Sequence, residues 1–354
     1  MTFRAQFSCR GCGVFPVLVS SAMAMAVAGV PAASADEGAE IRWQSPMEVV
    51  AGDAYRGPWR MNRSRFHYVD DPAVALTADG SLGIAWVQNR LQDVYFTAYG
   101  PGGEAVLDEA TNVSRSPGTF SWLPKTVMSG AGEVYVLWQE IVFSGGSHGG
   151  EAFFARSADG GRSFSTPLNL SNSEAGDGKG RLTRERWHNG SLDLARAPDG
   201  TLHAVWTEYE GALWASRSTD GGRSFSAPLR VGGSDAAPAR APDLAIGGDG
   251  TVHLVWTVGE DPHADLRIAV SRDGGGSFGE PRMLLASNNH ADAPKIAVAR
   301  EGGLHLVYAE GAEGPFGPHH VRYARLAPGR LTASAARPVT RPDQPGARGQ
   351  SPGE

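Results

Sequence analysis

The chain has 354 residues, 41% of them hydrophobic, with 47 Gly, 23 Pro, 2 Cys and a formal charge of −6. That length allows a sizeable core, and so much glycine suits an all-β protein full of tight turns. The acidic balance argues against nucleic acid or an anionic membrane surface as partner.

Residues 1–35 predict a secretory signal. Arg4 and Arg10 supply the positive start, Val14 to Val30 the apolar stretch, and Ala33-Ser34-Ala35 the small-residue cleavage site. The mature protein is therefore expected to be secreted or periplasmic, with no membrane insertion once the signal is removed. The apolar run is short for a membrane span and is followed at once by Pro31. Cys9 and Cys12 lie in this segment, so their C-x-x-C spacing implies neither a disulfide nor a metal site in the mature chain. Removing the signal takes two Arg and no acid, giving a formal charge of −8.

Next comes Ile41-Arg-Trp43-Gln-Ser-Pro46-Met-Glu-Val49, which resembles an isolated outer strand. It could complete the last unit of a ring and remove an exposed sheet edge.

From there a period near 50 residues takes over. The phrases Asp79-Gly-Ser-Leu-Gly-Ile-Ala-Trp86, Asp199-Gly-Thr-Leu-His-Ala-Val-Trp206 and Asp249-Gly-Thr-Val-His-Leu-Val-Trp256 each read as a tight turn followed by a strand ending on an aromatic residue. With Trp138 and Tyr308 the anchors lie 52, 68, 50 and 52 residues apart. In four of the five units a proline (Pro72, Pro124, Pro242 or Pro294) marks the strand before the turn, and Leu192 stands in the fifth place. A third strand follows, as in Ala152 to Arg156, Leu213 to Arg217 and Leu266 to Val270. Five strand–turn–strand units predict a β-propeller of four-stranded blades over residues 36–340. A sixth blade would have to come from the segments before Asp70 and after Arg325.

Between the third and fourth strands an eight-residue phrase occurs three times. It runs Ser157-Ala-Asp159-Gly-Gly161-Arg-Ser163-Phe164, then Ser218-Thr-Asp220-Gly-Gly222-Arg-Ser224-Phe225, then Ser271-Arg-Asp273-Gly-Gly275-Gly-Ser277-Phe278. Asp accepts hydrogen bonds from nearby backbone N–H groups, Gly supplies positive φ, and Phe buries its ring as the next strand begins. Asp159, Asp220 and Asp273 are therefore structural. Decayed copies stand at Gly100-Pro-Gly-Gly103 and Pro328-Gly-Arg. Residues 341–354 close the chain as a disordered tail, and Leu331 to Val339 reads as one weak strand before it.

The three phrases resemble the Asp-box, or BNR repeat, of the sialidase (neuraminidase) superfamily. The resemblance spans nearly the whole mature chain and implies a sialidase-like propeller fold. It also implies a carboxylate-binding Arg triad, a Tyr–Glu nucleophile and an Asp acid/base. Those positions match poorly. Where the family has Arg-Ile-Pro at the first inner strand, this chain has Asp70-Asp71-Pro72. Glu208-Tyr209 offers a Glu and a Tyr, but neighbours on an extended strand point to opposite sides. Nearby arginines that could rebuild an anion clamp are Arg56, Arg60, Arg63, Arg65, Arg181, Arg184, Arg186 and Arg240.

Strand alternation puts the short turns on one face and the long, varied loops on the other, where binding residues are usually carried. Aligned around that loop face are Gln88, Glu140, Glu208, Val258 and Glu310. Upstream of the inner strands come Asp70, Trp122, Gly190, Arg240 and Asp292, preceded by Tyr68, Phe120, His188, Pro238 and His290.

Three functions follow as expectations. In the first, the loop face recognises a glycan or other small ligand through Tyr68, Trp122, Glu140, His188, Arg240, His290 and Glu310. In the second, the protein is a glycoside hydrolase, a divergent exo-sialidase, with Asp70, Glu208 and Asp292 as catalytic candidates. In the third it is a metal-binding or protein-interaction scaffold, with His188, His290 and Asp292 as ligands. No cofactor is required, and a divalent ion is the one candidate. His203, His253 and His305 repeat at one strand position and are expected to be structural.

Overall fold

The computed structural model describes residues 46–58, 65–144, 147–172, 191–208, 211–234, 236–259, 264–311 and 319–339. The signal segment and the tail after 339 lie outside them. The chain divides into Met1–Ala51 and Gly52–Glu354. Of the first unit, residues 46–51 are described and form no strand.

The second unit opens with a short pair, β1 (Tyr55–Arg56) and β2 (Phe66–His67). Five antiparallel four-stranded sheets follow in chain order. Blade 1 is β3 (Val69–Leu76), β4 (Leu82–Gln88), β5 (Asp93–Tyr99) and β6 (Thr111–Asn112). Blade 2 is β7 (Phe120–Met128), β8 (Val134–Ser144), β9 (Ser147–Ser157) and β10 (Leu168–Asn169). Blade 3 is β11 (Leu192–Arg196), β12 (Leu202–Thr207), β13 (Leu213–Ser218) and β14 (Leu229–Gly232). Blade 4 is β15 (Ala239–Ile246), β16 (Val252–Val258), β17 (Asp265–Ser271) and β18 (Arg282–Leu285). Blade 5 is β19 (His290–Val298), β20 (Leu304–Gly311), β21 (His319–Leu326) and β22 (Arg337–Pro338). The protein is an all-β propeller, as the repeat period predicts.

The outer strand of blade 5 comes from the C-terminal side, since Tyr323 pairs with Arg337 and Arg322 with Pro338. The expectation that residues 41–49 would fill that place is corrected. Residues 46–49 are not in a strand, and 41–45 lie outside the described residues.

The blades are held together by apolar cores between neighbours. Trp138 joins Val87, Phe96 and Val134 between blades 1 and 2. Trp206 joins Leu137 and Phe154 between blades 2 and 3. Trp256 joins Val205 and Leu213 between blades 3 and 4, and Tyr308 joins Val255 and Ile268 between blades 4 and 5. Each aromatic anchor thus packs against the preceding blade, which is why the sequence repeats one at that position. Trp86 of blade 1 has no such core. It stacks on Tyr95 of its own sheet at 6.2 Å. Val74 and Leu76 on the same face of the inner strand are 62% and 55% exposed. Among the described residues no apolar core joins blade 5 back to blade 1, so the described blades form a series with two distinct ends.

The repeated Ser-x-Asp turns show what the phrase does. Asp159 Oδ1 accepts from Ser157 Oγ at 2.6 Å and from the Ser163 N–H at 2.9 Å, and its Oδ2 accepts from Ser163 Oγ at 2.5 Å. The Gly161 N–H donates back to Ser157 Oγ at 2.9 Å. Asp220 and Asp273 repeat the pattern. The second glycine has a further reason. Its φ is +89° at Gly161, +77° at Gly222 and +79° at Gly275. A Cβ there would also strike the preceding blade, at Phe96, Phe154 and His203 respectively. Phe164 and Phe225 then pack into the cores against blades 1 and 2.

Candidate functional site

The loop face is shaped by a device repeated at the top of the inner strands. In blades 1, 2, 4 and 5 the ladder slips between Asp70 and Ala73, Trp122 and Lys125, Arg240 and Asp243, and Asp292 and Lys295. In each bulge the residue before proline is left-handed: Asp71 (φ +47°), Leu123 (+51°), Ala241 (+44°) and Ala293 (+49°). Bulges re-aim side chains, and left-handed non-glycine residues persist only where their surroundings over-determine them. Blade 3, with Leu192 in place of proline, pairs without a slip.

Acidic side chains near the top of the inner strands stitch one blade to the next. Asp71 Oδ2 accepts the Leu123 N–H at 3.1 Å. Asp193 Oδ2 accepts the Leu244 N–H at 2.8 Å, and Asp243 Oδ2 accepts the Ile296 N–H at 2.7 Å. Lys295 Nζ donates to Asp243 Oδ1 at 2.6 Å. Burial, reinforced by Asp70, raises Asp71 to about 6, against the Leu123 N–H and Lys125. Burial and then Asp243 push Asp193 upward as well, while Lys125 and Lys295 oppose. The inner wall therefore carries two Lys, Lys125 and Lys295, among three Asp. Sequence reasoning missed Asp71, Asp193 and Asp243; the adjoining prolines Pro72 and Pro242 signal the first and last, and Asp193 has no such mark.

Two groups rise above this wall. The first is polar and lies on blades 4 and 5. Asp292 Oδ1 accepts from Thr257 Oγ1 and from the Ala293 N–H, both at 2.8 Å. Its Oδ2 lies 3.6 Å from His290 Nε2, and Arg240 Nη2 lies 3.9 Å from Oδ1. Burial alone would raise the carboxyl, but His290, Arg240, Thr257 and the Ala293 N–H outweigh it and hold Asp292 at about 2. Asp292 is thus a fixed carboxylate at every physiological pH. Arg240 is only 16% exposed, and its Nε and Nη2 are buried without a hydrogen-bond partner among the described residues. An unmatched buried guanidinium is costly unless a further acceptor reaches it.

The second group is aromatic and lies on blades 1 and 2. Tyr68 and Trp122 pack on Phe66, Phe120 and Ile141. Tyr68 stands 5.6 Å from Phe66, and Trp122 meets Phe120 edge-on at 6.4 Å. Both rings stay half-exposed, which suits an aromatic platform for an apolar sugar face.

Other expected residues are placed differently. Glu140 is buried, not on an open rim. It accepts from Ser116 Oγ (3.0 Å), Ser121 Oγ (2.8 Å), Trp138 Nε1 (2.9 Å) and the Thr119 hydroxyl. Burial pushes its pKa up, and those four donors oppose the rise. It braces the loop that ends blade 1 against blade 2. His290 has no exposed surface, so it backs Asp292 and does not itself meet ligand. Glu310 is paired with Arg322 Nε at 2.9 Å and accepts from Ser287 Oγ at 3.2 Å. Asp70 is exposed and Glu208 half-buried at the end of β12. His188, Tyr209, Arg60, Arg63, Arg181, Arg184 and Arg186 lie outside the described residues. Among the described residues no three His, Cys, Asp or Glu side chains are grouped to hold a metal ion.

No family model matches the chain, and no curated protein is similar to it in sequence. Solved structures do share its fold. A protein of unknown function from Dyadobacter fermentans matches with a TM-score of 0.57 at 14% identity, over 79% of this chain and 84% of that one. A polysaccharide lyase of family PL25, an ulvan lyase bound to -[GlcA(1-4)Rha3S]-, matches with a TM-score of 0.51 at 13% identity, over 76% of this chain and 72% of that one. The microbial sialidase Hz136 gives a TM-score of 0.49 at 16% identity, over 77% of this chain and 58% of that one.

Proposed function

We propose that this is a secreted or periplasmic propeller that recognises a glycan on its loop face. The observation that carries the reading is Arg240, a guanidinium that keeps 16% of its side chain exposed beside the fixed carboxylate of Asp292. Such a pair offers donor and acceptor side by side. That matches the vicinal hydroxyls or the carboxylate of a sugar. Tyr68 and Trp122 add the half-exposed ring faces that sugar-binding sites use. The likeness to a lyase bound to a uronate-containing polysaccharide supports a glycan as the ligand class. A glycan array probed with the full chain should show binding that Arg240→Ala reduces at least tenfold, the equivalent of about 1.4 kcal/mol. Unchanged binding in that variant and in the Tyr68→Ala/Trp122→Ala pair would overturn the reading.

One observation favours hydrolysis as a second reading. Asp71, held up near 6, is suited to keeping a proton for a leaving oxygen, whereas Asp292 is suited to remaining charged. If hydrolysis occurs, release of 4-methylumbelliferone from a glycoside panel will fall sharply in Asp71→Asn. Absence of release from every glycoside rejects this second reading.

A further inference from the structure

The opposite face of the propeller holds a separate cavity between blades 4 and 5. One lobe, about 510 Å³, is walled by the turns Gly247–Asp249, Ala299–Gly302 and Ala327–Leu331. A second lobe, about 470 Å³, adjoins it and shares Val270, Arg272 and Arg330. Each volume falls in the range of small-ligand sites.

The cavity exists because one copy of the turn phrase is missing. Between blades 3 and 4, Gly275 of the Ser-x-Asp turn sits over His203, with its Cβ position 2.7 Å from the ring nitrogen. The corresponding turn of blade 5 runs Ala327-Pro328-Gly329-Arg330 and has no Ser, no Asp and no glycine pair. His253 occupies in blade 4 the place of His203 in blade 3, and nothing comparable covers it. It lines the cavity instead, and its Nδ1 is buried without a hydrogen-bond partner among the described residues. Burial lowers its pKa, Asp249 opposing and Arg272 assisting, so the ring is neutral.

Four arginines surround the two lobes: Arg272, Arg282, Arg300 and Arg330. None of them makes an ion pair with a described residue. Of the acids lining the cavity, Asp249 is taken by the Thr251 N–H at 3.0 Å and Thr251 Oγ1 at 2.9 Å. Glu301 is taken by Arg325. Glu280 and the still-charged Asp249 are left to oppose four cations. No Phe, Tyr or Trp lines either lobe, which disfavours a nucleotide base. The shared wall is aliphatic, with Val270 and Leu331.

We propose that this double cavity is a second ligand site for an acidic saccharide. Arg272 and Arg330 hold its carboxylate or sulfate, and its ring lies on Val270 and Leu331 against His253. The site is independent of the loop-face residues, so either can fail without the other.

Isothermal titration of the full chain with digalacturonate, cellobiose and sodium sulfate tests it. Digalacturonate should bind and cellobiose should not. Arg272→Gln/Arg330→Gln should weaken digalacturonate roughly tenfold or more, as expected for losing two charge-assisted contacts. Arg330→Lys should retain most of the affinity, and Arg240→Ala should leave this binding event intact. The ring signal of His253 should move on titration, a readout that needs no variant. The proposal falls if the double variant binds like the parent, if cellobiose binds equally, or if His253 does not respond. Sulfate binding as tightly as digalacturonate would mean an adventitious ion only, and would overturn it too.

Discussion

The carboxyls of the loop face are tuned in opposite directions by their surroundings. Asp71, half-buried beside Asp70, is pushed up to about 6, whereas Asp292 is held down at about 2. The folded state therefore binds the Asp71 proton more tightly than the unfolded chain does. Its contribution to stability is complete below about pH 4 and is lost as the pH rises through about 6. Asp193, also pushed upward, adds to the same trend. Asp292 works the other way, stabilising above its ordinary range and losing that contribution only as the pH falls towards 2. Asp71→Asn keeps an acceptor for the Leu123 N–H and removes the charge. Its melting temperature should rise relative to the parent between about pH 4 and pH 7. Equal shifts at both ends of that window would contradict the assignment. None of this tuning was legible in the sequence. Asp70 and Asp71 are adjacent letters, and only the bulge decides which one is half-buried. Glu140 was legible as a repeat position but not as a buried brace, because its donors Ser116 and Thr119 come from a connection the repeat does not include.

At the level of single elements, the turns and inner strands were the most readable part. Three copies of one phrase announced three identical hydrogen-bond patterns, and prolines marked four of the inner strands. What the prolines hid was the left-handed residue before each one, since that residue is Asp, Leu, Ala or Ala and carries no common letter. The second glycine of the Ser-x-Asp turn offers a clean test of packing against backbone conformation. At Gly222 an added Cβ would lie 2.7 Å from the Phe154 ring, at φ +77°; at Gly250 φ is +80° and nothing lies within 4 Å. Gly250→Ala should cost about 1 kcal/mol, the conformational term alone. Gly222→Ala should cost that plus an overpacking term of about 1–3 kcal/mol. Urea denaturation of the two variants checks the difference, and equal losses would show that the contact does not matter.

For the whole molecule, repeat spacing revealed the number of hairpins but not how the series ends. A repeat looks alike in its letters whether or not a neighbour covers it, so Trp86 resembles Trp138 and Trp256 although only the latter two enter an inter-blade core. Trp256→Ala should cost about 3–5 kcal/mol, the usual penalty for emptying a filled core position. Trp86→Ala should cost distinctly less, because it removes contacts within one sheet only. Comparable losses for both would show that blade 1 is covered as fully as the others.

The two terminal sheets also differ in chemistry. Blade 1 presents Val74 and Leu76 outward, while blade 5 ends in a Tyr323 hydroxyl 2.7 Å from His305 Nδ1, under the Arg337 guanidinium. A stack whose members touch only their neighbours melts from its margins inward. Amide protons of β12 and β16, each flanked by sheets on both sides, should outlast those of β4 and β20 when the protein is moved into heavy water.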